Sequence, residues 1–265
     1  MILTYSADNM KAVILAGGWG MRLREQTVTK PKPMVEIGHK PILWHIMKIY
    51  SYYGINDFVI CLGYKGHIIK DYFANYSMYE SVVTFDMSDS SMDVHRNTSE
   101  PWRVTLVDTG LYTKTAGRLR KIRNYVDDSD FCMTYGDGVG DIDIGNVIAF
   151  HKSHGKSATV TAVRPPARFG ALLIENGEVI NFHEKPINDG GWINGGFFVL
   201  KPEVLDLDIT DDMPWEDYPM KHLTKSNQLM AYQHDGFWQP MDTLRDMEYL
   251  EELWQSGEAP WKLWK

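Results

Sequence analysis

The sequence predicts an α/β fold in which a mostly parallel β-sheet is covered by helices on both faces. Up to Val163, short apolar runs rich in β-branched residues alternate with amphipathic segments, which is typical of parallel strands connected by helices. The composition is that of an ordinary globular protein, with 44% hydrophobic and 23% charged residues among 265. These values argue against a disordered, collagen-like or coiled-coil chain.

The elements of the first part follow in order from the apolar pattern. The first strand is expected at 11–16, where an apolar run stops at Gly17 and Gly18. Further buried strands are predicted at 57–62, 104–107, 131–135 and 158–163. Helices are predicted at 41–53, 66–76, 118–126 and 144–153, between these strands.

After Val163 the pattern indicates α+β structure. Asn176-Gly177 between two alternating segments predicts a hairpin with strands at 170–174 and 179–183. Strands at 192–200 and 229–233 and a helix at 243–254 follow. We expect one domain over 10–265, with a first part up to 163 and a second part from 164, and an N-terminal extension at 1–9. The Ser/Asp-rich segment 78–102 is either an exposed excursion or an oligomer contact.

Net charge and cysteine content limit the classes of partner and the cellular compartment that are expected for the chain. The net charge is −8, from 27 basic and 35 acidic residues, so neither nucleic acid nor a membrane surface is an expected partner. Neither a signal segment nor an apolar stretch of bilayer length is present. Cys61 and Cys132 lie in apolar runs and are expected to be buried free thiols, which indicates a reducing, cytoplasmic location.

The glycine-rich segment after the first strand is a candidate phosphate site. It reads Leu15-Ala16-Gly17-Gly18-Trp19-Gly20-Met21-Arg22, and Lys32 follows ten residues later. Glycines let backbone N–H groups approach phosphate oxygens, and the two cations add charge. Leu23 stands where a dinucleotide fingerprint needs glycine, and no Gly-Lys-Ser/Thr ends the loop. Glycines alone would fit a structural turn equally well, but the two cations favour phosphate binding.

Several motifs resemble those of sugar-1-phosphate nucleotidylyltransferases. They are Gly17-Gly-x-Gly-x-Arg-Leu23, the run 31–37, Tyr135-Gly-Asp137, Phe169-Gly-Ala171, Glu184-Lys-Pro186, Asn194-Gly-Gly and Trp238-x-x-x-Asp242. This resemblance implies a Rossmann-like, three-layer, mostly parallel mixed sheet with an added β-rich sugar-binding lobe. The runs 41–45, 168–171, 236–246 and 259–262 resemble the branch that joins CTP to glucose 1-phosphate, releasing pyrophosphate and forming CDP-glucose.

The resemblance also implies a set of site residues. The nucleotide would contact Leu15, Ala16, Gly17, Gly18, Gly20, Met21, Arg22, Lys32, Thr113, Gly117, Arg118, Gly136 and Asp137, with the base near Thr113, Gly117 and Arg118. The sugar phosphate would contact Gly170, Glu184, Lys185 and Asn194. Arg22, Lys32 and Lys185 would be catalytic, and Asp137 and Asp242 would hold Mg²⁺. The resemblance further implies a homo-oligomer and a role in making deoxysugars of surface lipopolysaccharide.

Two alternatives remain open at this point. The same chemistry could use another sugar phosphate or nucleotide, because sugar selectivity depends on a few hydrogen bonds. The chain could instead be a regulatory protein that binds nucleotide sugars, because Met21 stands where the family has threonine and a thioether cannot donate a hydrogen bond. His151 and His154 are expected at the surface, and the tryptophans at 254, 261 and 264 are expected in packing or a subunit contact.

Overall fold

The structure is a computed structural model that describes residues 10–165, 171–175, 178–183 and 191–265, the two short middle ranges by backbone only. Its helices are α1 (Arg24–Thr27), α2 (Ile42–Tyr52), α3 (Gly66–Tyr79), α4 (Thr115–Lys121), α5 (Ile144–His154), α6 (Tyr218–Lys225) and α7 (Leu244–Gln255). Its strands are β1 (Lys11–Leu15), β2 (Glu36–Ile37), β3 (Lys40–Pro41), β4 (Asp57–Leu62), β5 (Ser81–Asp86), β6 (Ser91–Asn97), β7 (Arg103–Asp108), β8 (Phe131–Tyr135), β9 (Gly138–Gly140), β10 (Ala158–Val163), β11 (Ala171–Glu175), β12 (Glu178–His183), β13 (Ile193–Leu200), β14 (Leu229–His234) and β15 (Trp238–Pro240).

The main sheet of the described residues has seven strands in the order β14-β10-β13-β8-β1-β4-β7. Its neighbours pair in parallel except at β13, which is antiparallel to both β8 and β10. This mixed, mostly parallel sheet confirms the predicted fold class. Strands from before and after Val163 share the one sheet, which supports our proposal that 10–265 is a single domain.

The sheet separates two hydrophobic cores. Ala12 and Ile14 of β1 belong to the core that packs on α2, whereas Val13 and Leu15 belong to the core on the opposite face. Successive side chains of a strand point to opposite faces. One short apolar strand therefore contributes to both layers, which explains why it is apolar at almost every position.

The predicted helix at 118–126 is displaced in the structure. α4 begins at Thr115 and ends at Lys121, and a 3₁₀ turn follows at Arg123–Tyr125. The N–H groups of Lys114 and Ala116 donate to the carbonyls of Asp211 and Met213. A distant loop thus satisfies N–H groups at the start of this helix, in place of a local side-chain cap that sequence reasoning could detect.

Two segments of the chain form two-stranded antiparallel pairs in the structure. Segment 78–102 contains the β5–β6 ribbon, which was not predicted, and its side chains are largely exposed. The strands of the predicted 170–183 hairpin pair antiparallel, while its turn and the extension 1–9 lie outside the described residues.

The expectation that His151 lies at the surface is wrong: this residue is 1% exposed, and its Nδ1 lies 2.8 Å from Thr159 Oγ1.

The cysteines are buried free thiols, as expected. Burial raises the pKa of Cys61 to about 12. In the part of the chain that the structure describes, no helix has the length and apolar character needed to cross a membrane.

Candidate functional site

A cavity of about 640 Å³ opens where β1 and β8 end. Its volume lies in the range of small-molecule sites. Ligands of open α/β sheets collect at this carboxyl edge of the strands. The wall is formed by the loop after β1, the segment before and within α4, the segment after β8, and residues of the second half that include Asn194, Glu216 and Asp242.

Two cations and two carboxylates converge in this cavity. Lys32 Nζ lies 2.7 Å from Asp137 Oδ2 and 2.6 Å from Asp242 Oδ1. Arg22 Nη1 lies 2.8 Å from Asp242 Oδ2, and the Arg22 side chain is 71% exposed. Burial opposes the charge of Lys32, but attraction to Asp137 and the hydrogen bonds to both carboxylates raise its pKa above the ordinary value.

The two carboxylates meet because of a short strand pair. Asp137 precedes β9 and Asp242 follows β15, and Pro240 of β15 is the register partner of Gly138 of β9. Met241 N also donates to Asp137 O at 2.8 Å. Residues far apart in sequence are thereby fixed side by side.

A capping box holds the Asp242 backbone at the start of α7. Thr243 Oγ1 accepts a hydrogen bond from Asp246 N, and the Asp246 carboxylate accepts from Thr243 N at 2.8 Å. The same carboxylate accepts from Asp242 N at 3.1 Å. The cap that starts this helix therefore also fixes the backbone of a cavity carboxylate.

The donor set fits a divalent cation. Asp137 and Asp242 both direct an oxygen at one point, which the Lys32 ammonium occupies. Carboxylate oxygens are the ligands that Mg²⁺ takes, usually one or two with phosphate and water completing the shell.

Arg118 ties the glycine-rich loop to two neighbouring strand ends. Its guanidinium donates to the carbonyls of Gly17 (3.0 Å), Leu62 (2.8 Å) and Gly110 (2.9 Å) and to Thr109 Oγ1 (2.6 Å). A Cβ on Gly17 would lie 2.2 Å from the guanidinium carbon, so a larger residue there would displace this hydrogen-bonded side chain. Burial lowers the pKa of Arg118, and no described carboxylate lies within ion-pair distance of it. Its charge beneath the loop is offset by carbonyl and hydroxyl oxygens and by the more distant Asp108 carboxylate.

Most of the expected site residues line this cavity. They are Leu15, Ala16, Gly17, Gly18, Gly20, Met21, Arg22, Lys32, Thr113, Arg118, Gly136, Asp137, Asn194 and Asp242. Gly117 is not among the lining residues: a Cβ there would lie 2.7 Å from Asp211 Cα, so this glycine packs against the 211–217 loop. Gly170, Glu184 and Lys185 lie outside the described residues.

Two residues of the cavity wall were not predicted from the sequence. Asn194 was predicted as a substrate contact, but Tyr135 and Glu216, which also line the cavity, were not. Tyr135 OH donates to Glu216 Oε1, and Asn194 Nδ2 donates to Tyr135 OH at 3.3 Å. Trp215-Glu216-Asp217 carries no local motif, so nothing in the sequence around it marks Glu216.

Aromatic rings cluster around Trp19 of the glycine-rich loop. Trp19 stacks on Tyr64 with ring centroids 5.0 Å apart and lies 6.0 Å from the Tyr112 ring. Met21 follows on the same loop and is 65% exposed. Met21 lines the cavity, at the position where the family that the sequence resembles has a threonine.

Comparison with known proteins identifies the family. The profile described as nucleotidyl transferase matches residues 11–254. The chain belongs to this family. Among its nucleotidyl transferase relatives, a glucose-1-phosphate cytidylyltransferase of Salmonella typhi is 61% identical over 257 residues, covering 97% of this chain and 100% of the relative. A mannose-1-phosphate guanylyltransferase catalytic subunit beta of Dictyostelium discoideum is 32% identical, covering 92% of this chain and 66% of the relative.

Solved structures share the fold. HddC from Yersinia pseudotuberculosis superposes with a TM-score of 0.67 at 23% identity, covering 92% of this chain and 99% of that one. A UDP-glucose pyrophosphorylase complexed with UDP-glucose gives 0.65 at 17% identity, with coverages of 94% and 99%. At these identities the likeness establishes the nucleotidyl transferase fold alone.

Proposed function

We propose that this nucleotidyl transferase transfers a cytidylyl group from CTP to α-D-glucose 1-phosphate, giving CDP-glucose and pyrophosphate. The observation that carries the proposal is the 61% identity, over the whole length of the relative, to a glucose-1-phosphate cytidylyltransferase. The cavity supports it, because it combines a glycine-rich loop, two cations and two convergent carboxylates. The intact cation and carboxylate set favours an enzyme over the regulatory alternative.

The reaction is a displacement at phosphorus. A phosphate oxygen of glucose 1-phosphate attacks the α-phosphorus of CTP, a new P–O bond forms, and the bond between the α-phosphorus and the bridging oxygen breaks as pyrophosphate leaves. Two anions must meet, so positioning and charge neutralisation are the main tasks of the protein. Arg22 and Lys32 hold the triphosphate and offset the charge that grows on pyrophosphate.

Asp137 and Asp242 hold Mg²⁺ in this proposal. When bound, the ion would neutralise phosphate charge and orient the triphosphate. Lys32 would then contact phosphate oxygens, because its ammonium and the ion could not both lie between the two carboxylates. The charge beneath the loop from Arg118 adds a fixed positive potential at the same end of the cavity.

The other substrate contacts are assigned by the resemblance. Lys185 holds the sugar phosphate, Glu184 and Asn194 contact sugar hydroxyls, and Gly170 leaves room for the ring. Thr113, which is buried and lines the cavity, borders the base. Arg118 acts by fixing the loops around the nucleotide, since its guanidinium is already bound to backbone carbonyls.

The location and assembly of the chain also belong to this proposal. Two buried free thiols fit a reducing compartment, and we place the reaction in the cytoplasm, with its product serving deoxysugar synthesis for surface polysaccharide. Self-association is proposed through the β5–β6 ribbon. Its partners Val83↔Val94 and Phe85↔Met92 share one face, which a second copy would cover across a two-fold axis.

The direct test of the proposed reaction is an assay of purified protein with CTP, glucose 1-phosphate and Mg²⁺. We expect equimolar release of pyrophosphate and formation of CDP-glucose. Pyrophosphate release with a different nucleotide or sugar phosphate, and none with this pair, would transfer the proposal to that pair.

A further inference from the structure

Glu216 lies on a loop whose position is fixed by the start of α4. Lys114 N donates to Asp211 O at 2.7 Å, and Trp215 N donates to Thr115 Oγ1 at 2.6 Å. The Trp215 side chain is fully buried in the core on that face of the sheet. The residue that follows this anchor is therefore held at a defined place in the cavity wall.

Glu216 ends a directional row of hydrogen bonds along the wall. Gly196 N donates to Asn194 Oδ1 at 2.8 Å, which turns the amide nitrogen toward Tyr135. That nitrogen donates to Tyr135 OH at 3.3 Å, and the hydroxyl donates to Glu216 Oε1. The row runs from an amide donor at one end to a carboxylate acceptor at the other.

The Glu216 carboxylate has acceptor capacity to spare. Its partners among the described residues are the neutral hydroxyls of Tyr135 and Thr115, the second at 3.3 Å, and no described cation forms an ion pair with it. A carboxylate offers about four lone-pair sites. The other cavity carboxylates, Asp137 and Asp242, are bound to Lys32.

The charge of Glu216 limits what it can bind. A phosphate group would be repelled by a carboxylate without a cation, so the matching group is a neutral donor. An amino group on a base ring only donates. A ring hydroxyl can donate to Glu216 and, unlike an amino group, can also accept from a donor of the same wall, such as the second N–H of the Asn194 amide.

We propose that Glu216 is a specificity-determining residue that accepts a hydrogen bond from a ring hydroxyl of a bound carbohydrate, aligned by the Asn194–Tyr135 row. The inference rests on the proposed function and deepens it, by assigning a residue outside the recognised motifs to substrate recognition. The hydroxyl belongs either to the ribose of the nucleotide or to the hexose of the sugar phosphate. Both sources present the same chemistry to the carboxylate.

The test compares Glu216→Gln with wild type, using Glu248→Gln as a control on the exposed face of α7. Initial rates are measured with CTP and its 2′- and 3′-deoxy analogues, and with glucose 1-phosphate and its monodeoxy analogues. Removing a charged hydrogen-bond partner should raise one KM by about tenfold or more, with kcat little changed. For the analogue that lacks the recognised hydroxyl, the variant and wild type should show the same KM.

The pattern of the loss identifies the source of the hydroxyl. A ribose contact moves only the KM for CTP, and a hexose contact moves only the KM for glucose 1-phosphate. An equal loss with every analogue, a loss that only shifts the choice between CTP and UTP, or no change in either KM would overturn the inference. Wild-type protein that makes no CDP-glucose would instead contradict the proposed function, so the two failures are distinguishable.

Discussion

At the scale of single residues, the site is a balanced charge cluster. Lys32 and Arg22 supply two positive charges against the two negative charges of Asp137 and Asp242. A bound triphosphate changes this balance, because its phosphates compete for the cations while the carboxylates remain free to bind a divalent ion. The cluster is therefore arranged for exchange of partners when substrate arrives.

Removing either carboxylate charge should greatly slow turnover and leave the fold intact. Asp137→Asn and Asp242→Asn are each expected to lower kcat by about 100-fold or more, since charge stabilisation at the phosphates is lost. Rates should be measured against Mg²⁺ concentration, with circular dichroism to check folding. Asp128→Asn, whose side chain is 95% exposed, is the matched control. Wild-type kcat in either variant at saturating Mg²⁺ would remove that residue from the metal site.

Met21 tests how much the phosphate loop depends on one side chain. A threonine there would add one neutral hydrogen bond, usually worth about 0.5–1.5 kcal/mol net, or roughly two- to twelvefold in affinity. We expect Met21→Thr to tighten CTP binding within that range without changing the preferred nucleotide. Calorimetric titration measures it, with Met92→Thr on the exposed ribbon as control. Wild-type protein that is inactive and becomes active on Met21→Thr would favour the regulatory alternative.

At the scale of elements, the sequence predicted the strands that depend on local apolar pattern. It did not predict the features that depend on contacts between distant segments. The strands at 57–62, 131–135 and 158–163 were predicted with the bounds that the structure shows, because buried parallel strands are short apolar runs. The start of α4 and the place of Gly117 depend on the 211–217 loop. Nothing in the sequence near Thr115 or Gly117 indicates that this distant loop contacts them.

The candidate site shows the same division. Arg22, Lys32, Asp137 and Asp242 were predicted from motifs, and the structure brings them together. Arg118 was expected at the base, but its guanidinium is engaged by three backbone carbonyls. Which groups a buried arginine binds depends on how strand ends meet, and one sequence does not specify that geometry.

His45 on α2 should make stability depend on pH. Its Nε2 lies 2.8 Å from Ile37 O, and Trp261 Nε1 donates to its Nδ1 at 3.3 Å, which the neutral ring can accept. Burial lowers its pKa from 6.5 to about 4. The folded state therefore favours the neutral form of His45. The contribution of His45 to the free energy of unfolding is complete above pH 6.5 and is lost as pH falls toward 4.

The loss attributable to His45 between pH 7 and pH 5 should be about 2 kcal/mol, at 1.36 kcal/mol for each pH unit below 6.5. Urea unfolding of wild type, His45→Gln and the exposed control His67→Gln at both pH values measures it. The difference between pH values should shrink in His45→Gln and persist in His67→Gln. An equal pH dependence in all three proteins would contradict this assignment.

At the scale of the whole molecule, the sheet and the ribbon have different roles. The main sheet combines strands from both halves and brings the cavity walls together. The β5–β6 ribbon instead leaves Phe85, Met92 and Val94 each about half exposed. A two-stranded ribbon is only marginally stable alone in water, so covering its apolar face would stabilise it.

A charge on that face should therefore weaken self-association. We expect Phe85→Asp to lower the mass of the assembly measured by light scattering, toward the 30.5 kDa of one chain, while Ser88→Asp at the ribbon tip leaves it unchanged. Wild-type protein that is monomeric at every concentration, or an unchanged mass in Phe85→Asp, would contradict the proposed contact.

The proposed reaction joins CTP to glucose 1-phosphate. The most direct measurement is pyrophosphate release by the wild-type protein across CTP, UTP, dTTP, ATP and GTP, each with glucose 1-phosphate and Mg²⁺, with the sugar nucleotide identified by mass spectrometry. We expect the highest kcat/KM with CTP, and CDP-glucose as the product. A higher kcat/KM with any other nucleotide, or no sugar nucleotide formed with CTP, would contradict it.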